Sequence, residues 1–184
     1  MAHESNITAD EARQIIDYTA ETGEIRWKAR PREMFKSERF WRAWNTRYAG
    51  KTINNKFPNG YIYFRITGIQ YLAHRVAWLI STGDWPKDEI DHINGVSSDN
   101  RIANLRGATR DQNRENLCSK RVSLSGLTGA SWNSKRQKYL ARIVVAKRPI
   151  HIGYFDTAAE AQAAYIEAKN KYHPFYRPER FIEA

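Results

Sequence analysis

Between Ile90 and Leu117 turn-forming residues and short apolar runs alternate so closely that the chain there has room for little except a strand, a loop, a second strand and a helix. The dipeptide Asn94-Gly95 marks a tight turn just after Asp91-His92, which places those two side chains at the end of a short strand. Thr109 with Gln112 has the spacing of a capping box and predicts a helix from about Arg110, with Asn113 in its first turns. Folded back on itself, such a unit can bring Asp91 and Asn113 together although 22 positions separate them.

Those residue types suit one kind of chemistry. A carboxylate and an amide oxygen are hard donors, fitted to magnesium or manganese and less to zinc, in a site completed by water or phosphate oxygens. An imidazole at position 92, with an ordinary pKa near 6.5, is a competent general base at neutral pH. Charge points to the partner. Thirty Lys and Arg against twenty Asp and Glu give a formal net charge of +10, and a polyanion is the first partner to expect. Residues 1–85 carry thirteen basic and nine acidic side chains, 86–117 five and six, and 118–184 twelve and five, so two basic flanks bracket a balanced centre. With 41% hydrophobic and 12% aromatic residues the chain is expected to fold, not to act as a disordered basic tail. One cysteine, Cys118, excludes an internal disulfide framework and a cysteine-based zinc site, and suits a reducing cytoplasm. No apolar run approaches the roughly 20 residues a membrane helix needs.

Upstream, Thr8 with Glu11 predicts a capped helix ending near Tyr18, and Gly23 turns the chain into a strand over Glu24–Lys28. Lys28–Lys51 interleaves eight Lys or Arg with Phe35, Phe40, Trp41, Trp44 and Tyr48. Two uses are open to it: cations on phosphates with a ring against bases, or an amphipathic helix whose aromatic stripe at 40, 44 and 48 faces a core. The core-facing stripe is the expectation for the aromatics, and phosphate contact for several cations. Asn59-Gly60 and Gly68 read as turns, and His74-Arg75 as the start of a helix stopping at Gly83, where His74 and Arg75 are candidates for supporting the site or touching phosphate. Asn100 and Arg101 are expected to stabilise the loop, with Arg101 also a candidate for phosphate contact.

Together D-H, N-G, D-N-R, N-L-R and Q-N resemble the HNH endonuclease motif in its ββα-metal form, as found in phage homing enzymes, and the preceding GYIYFRITGIQYLAHRVAWLISTGDWP is similar to the region that leads into it. The resemblance implies His92 as the base that activates water, Asp91 and Asn113 as metal ligands, and Asn104 as the residue that pins the loop and orients the base. Asn113 stands where the family's name has a histidine. The implied cofactor is Mg2+ or Mn2+, with Zn2+ less suited. The implied partner is double-stranded DNA in a bacterial or phage-infected cell; with one site per chain a monomer is expected to nick one strand, and a double-strand break to need a dimer or a second visit.

The last third reads as a second module. Residues 118–125, with Lys120 and Arg121, form a polar linker suited to following a DNA backbone. Three strands are predicted at about 129–133, 138–145 and 150–155, then a helix capped by Thr157 with Glu160 and running to about Tyr172. Alternation directs Ala130, Trp132, Ala141, Ile143, Ile150 and Ile152 to the helix and leaves Ser131, Asn133, Arg142, Val144 and His151 opposite, with Trp132 in the core. The pieces G-A-S-W, Y-L-A-R-I, I-H-I-G-Y-F-D-T and E-A-Q-A-A-Y resemble the plant ethylene-response-factor (apetala-type) DNA-binding domain, which implies that the open face enters the major groove. Arg142 is then the candidate for guanine, and Lys135, Arg136, Lys138, Lys147 and Arg148 for phosphates. The fold class expected is α+β: an endonuclease domain over 1–117 with its ββα core at about 88–117, the linker, a three-stranded sheet on one helix over 126–173, and a tail over 174–184. The main alternative is a catalytically silent, sequence-specific DNA-binding regulator. An RNA-binding protein is disfavoured, since the deep, narrow RNA groove would not admit the sheet.

Overall fold

A computed structural model describes residues 7–116 and 126–176; Cys118, Lys120, Arg121 and the expected linker and tail positions 177–184 lie outside them. The described chain forms two compact units, Met1–Thr109 and Arg110–Ala184, each treated by itself.

In the first unit, Thr8 and Glu11 close a capping box on helix α1 (Ala9–Ile15). The helix stops there and does not reach Tyr18: strand β1 (Ile16–Thr19) follows at once and pairs antiparallel with β2 (Glu24–Trp27). Pairing across the sheet outweighs helix continuation, because Ile16 and Ile25 both enter the core from this hairpin. Helix α2 (Glu38–Tyr48) has no buried residue. The predicted aromatic stripe therefore divides: Trp44 packs edge-on to Trp27 at 5.6 Å, while Phe40 is 65% exposed. Strands β3 (Tyr63–Ile66) and β4 (Ile69–Leu72) make a hairpin turned by Thr67 (φ 49°) and Gly68 (φ 87°). Helix α3 (Ala73–Thr82) ends on Gly83 in the left-handed conformation (φ 90°). Its Ala73, Val76, Ala77 and Leu79 meet Ala12 and Ile15 of α1, Phe64 and Tyr71 of the hairpin, and Ile90 and Leu105 in one core. Strands β5 (Glu89–His92) and β6 (Leu105–Ala108) then pair antiparallel on either side of a loop over 93–104.

The second unit opens with helix α4 (Arg110–Asn116). Here the buried Lys169 donates to the Glu115 carbonyl at 3.3 Å. Strands β7 (Ala130–Asn133), β8 (Lys138–Val145) and β9 (Arg148–Phe155) form one antiparallel sheet in the order β7-β8-β9, covered by helix α5 (Ala158–Tyr172) behind its Thr157–Glu160 capping box. Ala130, Ala141 and Ala161 make the buried seam between sheet and helix. Contact is close enough that a Cβ on Gly129 would sit 2.2 Å from Cγ of Tyr165. Trp132 departs from expectation: it is 46% exposed, because β7 is an edge strand and the ring lies edge-on against Tyr139, 4.9 Å away, outside the seam.

Candidate active site

The β5–β6 register sets Asp91 opposite Arg106 and His92 opposite Leu105. Directly opposed cross-strand positions bring side chains within reach of each other. The Arg106 Nε and Nη2 both donate to Oδ2 of Asp91, at 2.8 and 2.6 Å, and the carboxylate is only 5% exposed. In the sequence Arg106 is only the last residue of N-L-R, and its role depends on a register that no local pattern encodes.

Consecutive strand residues project to opposite faces, and His92 turns instead toward rings. Its centroid lies 5.0 Å from that of His74 and 5.7 Å from that of Tyr61, and Tyr61 is 5.1 Å from His74, so three rings share contacts. His92 Nε2 donates to Oδ1 of the fully buried Asn100 at 3.5 Å, which puts the basic lone pair of a neutral ring on Nδ1. Burial lowers the His92 pKa below its ordinary 6.5; the Asn100 contact and the negative charges of Asp91 and Asp99 oppose that shift. The ring is therefore neutral at pH 7, the state a general base requires. His74 is pushed down further, to about 3, by burial and then by His92 and Arg75, and its Nδ1 is enclosed with no hydrogen-bond partner among the described residues.

Asn104 clamps the loop. Its Oδ1 accepts from Asn94 N at 2.9 Å, its Nδ2 donates to Asp99 O at 2.9 Å, and its own carbonyl accepts from Ile93 N at 2.9 Å. Within the loop, Gly95 adopts φ 73° and donates to His92 O at 2.8 Å. Arg101 grips Asp99 through Nε and Nη2 at 2.8 and 2.6 Å, which holds the Asp99 carboxyl down at about 2. Arg75 donates to the carbonyls of Asp88 and Pro86, tying α3 to the segment entering β5. The loop is backed from the N-terminal hairpin: Tyr18 Oη donates to Asn100 O at 2.8 Å, Ile102 N donates to Ala20 O at 3.1 Å, and a Cβ on Gly23 (φ 72°) would lie 2.4 Å from Arg101 N.

The first unit thus brings Asp91, His92, Asn104, His74 and Arg101 around the end of β5, adds Tyr61, Asn100 and Arg106, and sets Arg75 at the strand's entry. Asn113 is half-buried on α4, in the other unit. In that unit Ser131, Arg142, Val144 and His151 are exposed while Ala130, Ala141 and Ile143 are buried, which puts the former on the sheet face away from α5. Asn133 Oδ1 accepts from Arg136 N at 3.1 Å, the Arg136 guanidinium lies 4.6 Å from the Tyr154 ring centroid, and Lys138 pairs with Asp156 at 3.0 Å. Lys135, Lys147 and Arg148 stand exposed in or beside the strand turns, Lys147 with φ 66°.

Among the described residues no group of three or more His, Cys, Asp and Glu stands together as a metal cage. In the first unit the donor with the right chemistry is the Asp91 carboxylate. A single buried carboxylate does not close a coordination shell, but it fits a hard ion such as Mg2+, which keeps waters and takes phosphate oxygens from substrate.

Comparison with known proteins points to the same segment. Residues 71–115 match the family model of the HNH endonucleases, a span that runs from β4 to α4. The chain is 34% identical over 67 residues to Protein 3.8 of Escherichia phage T7, which covers 36% of this chain and 55% of that relative. It thus spans about half the length of the curated relative it matches. No solved structure matches it. No helix among the described residues is long and apolar enough to cross a membrane. Residues 71–115 therefore form an HNH endonuclease domain.

Proposed function

We propose that the chain is a divalent-metal-dependent DNA endonuclease of the phage homing type, which nicks one strand of a duplex as a monomer in a bacterial or phage-infected cell. His92 Nδ1 takes the proton from a water attacking phosphorus in line, and the imidazolium so formed is favoured by the negative charges of Asp91 and Asp99. Asn100 holds the opposite ring nitrogen, while Asn104 fixes the loop from which Asn100 projects. Asp91 would hold the ion, Mg2+ or Mn2+ in preference to Zn2+, and Asn113 is proposed from its motif position as the second ligand. Such an ion supplies charge stabilisation to the scissile phosphate and the departing 3′-oxygen.

The domain assignment proposed is catalysis by residues 1–117, backbone tracking by 118–125 with Lys120 and Arg121, and groove reading by 126–173. The ethylene-response-factor resemblance and the open sheet face support the last. Arg142 is proposed to read guanine, with Ser131, Asn133 and His151 beside it, and Lys135, Arg136, Lys138, Lys147 and Arg148 to hold phosphates.

The observation that carries the nuclease reading is the neutral, enclosed imidazole of His92 held by Asn100 beside Asp91, inside the matched segment. The test is nicking of supercoiled plasmid with Mg2+ or Mn2+. His92→Ala should lower the rate by at least about 100-fold, the usual contribution of a general base. Metal-dependent nicking that survives the substitution refutes the assignment. The second reading, a catalytically silent DNA-binding regulator, is favoured by one feature, the Arg106 guanidinium seated on Asp91. Tight binding without nicking under both metals would establish it.

A further inference from the structure

The basic, aromatic helix α2 leaves a feature that the nuclease chemistry does not use. Of the eight Lys and Arg over Lys28–Lys51, several are occupied within the fold. Arg30 lies over the rings of Trp27 and Trp44, at 4.8 and 4.0 Å. Lys28 donates to Arg13 O at 2.8 Å, Arg32 to Phe35 O at 2.6 Å, and Arg42 pairs with Glu38. Lys36, Arg39 and Arg47 remain exposed; Arg47, 5.3 Å from the Tyr48 ring centroid, lies two turns along α2 from Phe40, and Lys36 stands just before the N-cap Ser37. Phe40 is 65% exposed and Met34 48% exposed, large apolar side chains held in water beside cations. Behind Phe40 lies an open groove of about 490 Å³, walled by Met34, Phe35, Trp44 and Tyr48 and flanked by Lys36 and Arg47.

Aromatic walls between positive charges match the two chemistries of a nucleotide, a flat π-face and an anionic backbone. An isolated exposed aromatic needs no explanation, but one that fronts an aromatic groove between two cations does. We propose that Phe40 and the groove behind it form a base-stacking site on duplex DNA: one nucleobase, unstacked at the bound duplex, seats against Phe40 while Lys36, Arg39 and Arg47 hold the flanking phosphates. This rests on the proposed DNA reading for its partner, but not on catalysis.

The experiment uses the full chain in EDTA, so that binding is read without cutting, with 30-base-pair duplexes carrying 5-iodouracil at successive positions. Illumination should cross-link the peptide that contains Phe40. Phe40→Ala and Phe40→Leu should both weaken binding by roughly 5- to 150-fold, the range for loss of one stacked base, with the salt dependence unchanged. Phe40→Trp should retain native affinity. Lys36→Gln with Arg47→Gln should lower the slope of log affinity against log salt by about 1.8, two phosphates' worth. Cross-links confined to other peptides, or Phe40→Ala at native affinity, would overturn the proposal. So would a Phe40-dependent dimer in sedimentation, or Phe40-dependent capture by phosphatidylserine vesicles, with duplex affinity unchanged. Plasmid nicking by the same preparations separates the two readings. A chain that cross-links through Phe40 yet never nicks keeps this site and loses the nuclease, whereas one that nicks while indifferent to Phe40 does the reverse.

Discussion

Replacing Arg106 by Met exposes the energetics of the site directly. The Asp91 carboxylate is 5% exposed and its partner 18%, with both guanidinium contacts at or below 2.8 Å, so this pair is effectively out of water. Breaking one side of a buried pair costs about 3–5 kcal/mol, most of it for the charge left uncompensated. Arg106→Met should therefore lose about that much in urea unfolding at pH 7. The double variant Asp91→Asn with Arg106→Met should recover most of the loss, since no stranded charge remains. Divalent metal adds a second axis. With Arg106 gone, the Asp91 carboxylate loses the guanidinium that occupies Oδ2, and Mn2+ at about 100 times its dissociation constant should restore about 2.7 kcal/mol to Arg106→Met. The double variant should gain nothing from the metal. A coupling between the two positions below about 0.5 kcal/mol would refute the account of the pair, and equal metal stabilisation of the single and double variants would refute Asp91 as a ligand.

Protonation of His74 gives a second expectation. Its folded pKa of about 3 lies below the unfolded 6.5, so its neutral form contributes stability that is full above pH 6.5 and falls away as the pH drops toward 3. Between pH 7 and pH 5 that is about 2 kcal/mol, and His74→Phe should flatten this part of the urea-midpoint profile; an unchanged profile refutes it. Gly23→Ala places a Cβ 2.4 Å from Arg101 N at φ 72°, so both strain and collision should lower Tm and nicking together, and a variant with native values would show that the hairpin does not press on the loop. Asn104→Ala removes two side-chain hydrogen bonds across the loop and should cost about 2 kcal/mol in urea unfolding, whereas a loss below about 0.5 kcal/mol refutes the clamp.

Local patterns carried much of the architecture. Strand β8 and helix α5 fall where alternation and the Thr157–Glu160 box place them, and Gly83 stops α3 as its sequence position implies. The failures share a cause. Helix α1 ends early because Ile16 is claimed by β2, and Trp132 sits in the open because it belongs to an edge strand. Both outcomes are decided by partners distant in sequence. The site divides the same way. Asp91, His92 and Asn104 stand out as a spaced motif, while Arg106 matters only through cross-strand register, and Tyr61 and Asn100 only because separate elements fold onto the His92 ring. Phe40 was hidden by its own company, since an aromatic every fourth residue has the same spacing whether the helix face is covered or bare.

The hydrogen bond from Tyr18 to the carbonyl of Asn100 closes a span of 82 positions, and Gly23 lies against the same stretch of backbone. The residues that hold His92 in place therefore depend for their shape on the docked opening hairpin. Transplanting positions 71–115 alone into another scaffold would carry over the reactive side chains without the wall they lean on. The motif is no portable cassette, and on the proposed reading a chain that misplaces its first two strands would lose the wall behind His92 and with it the capacity to cut.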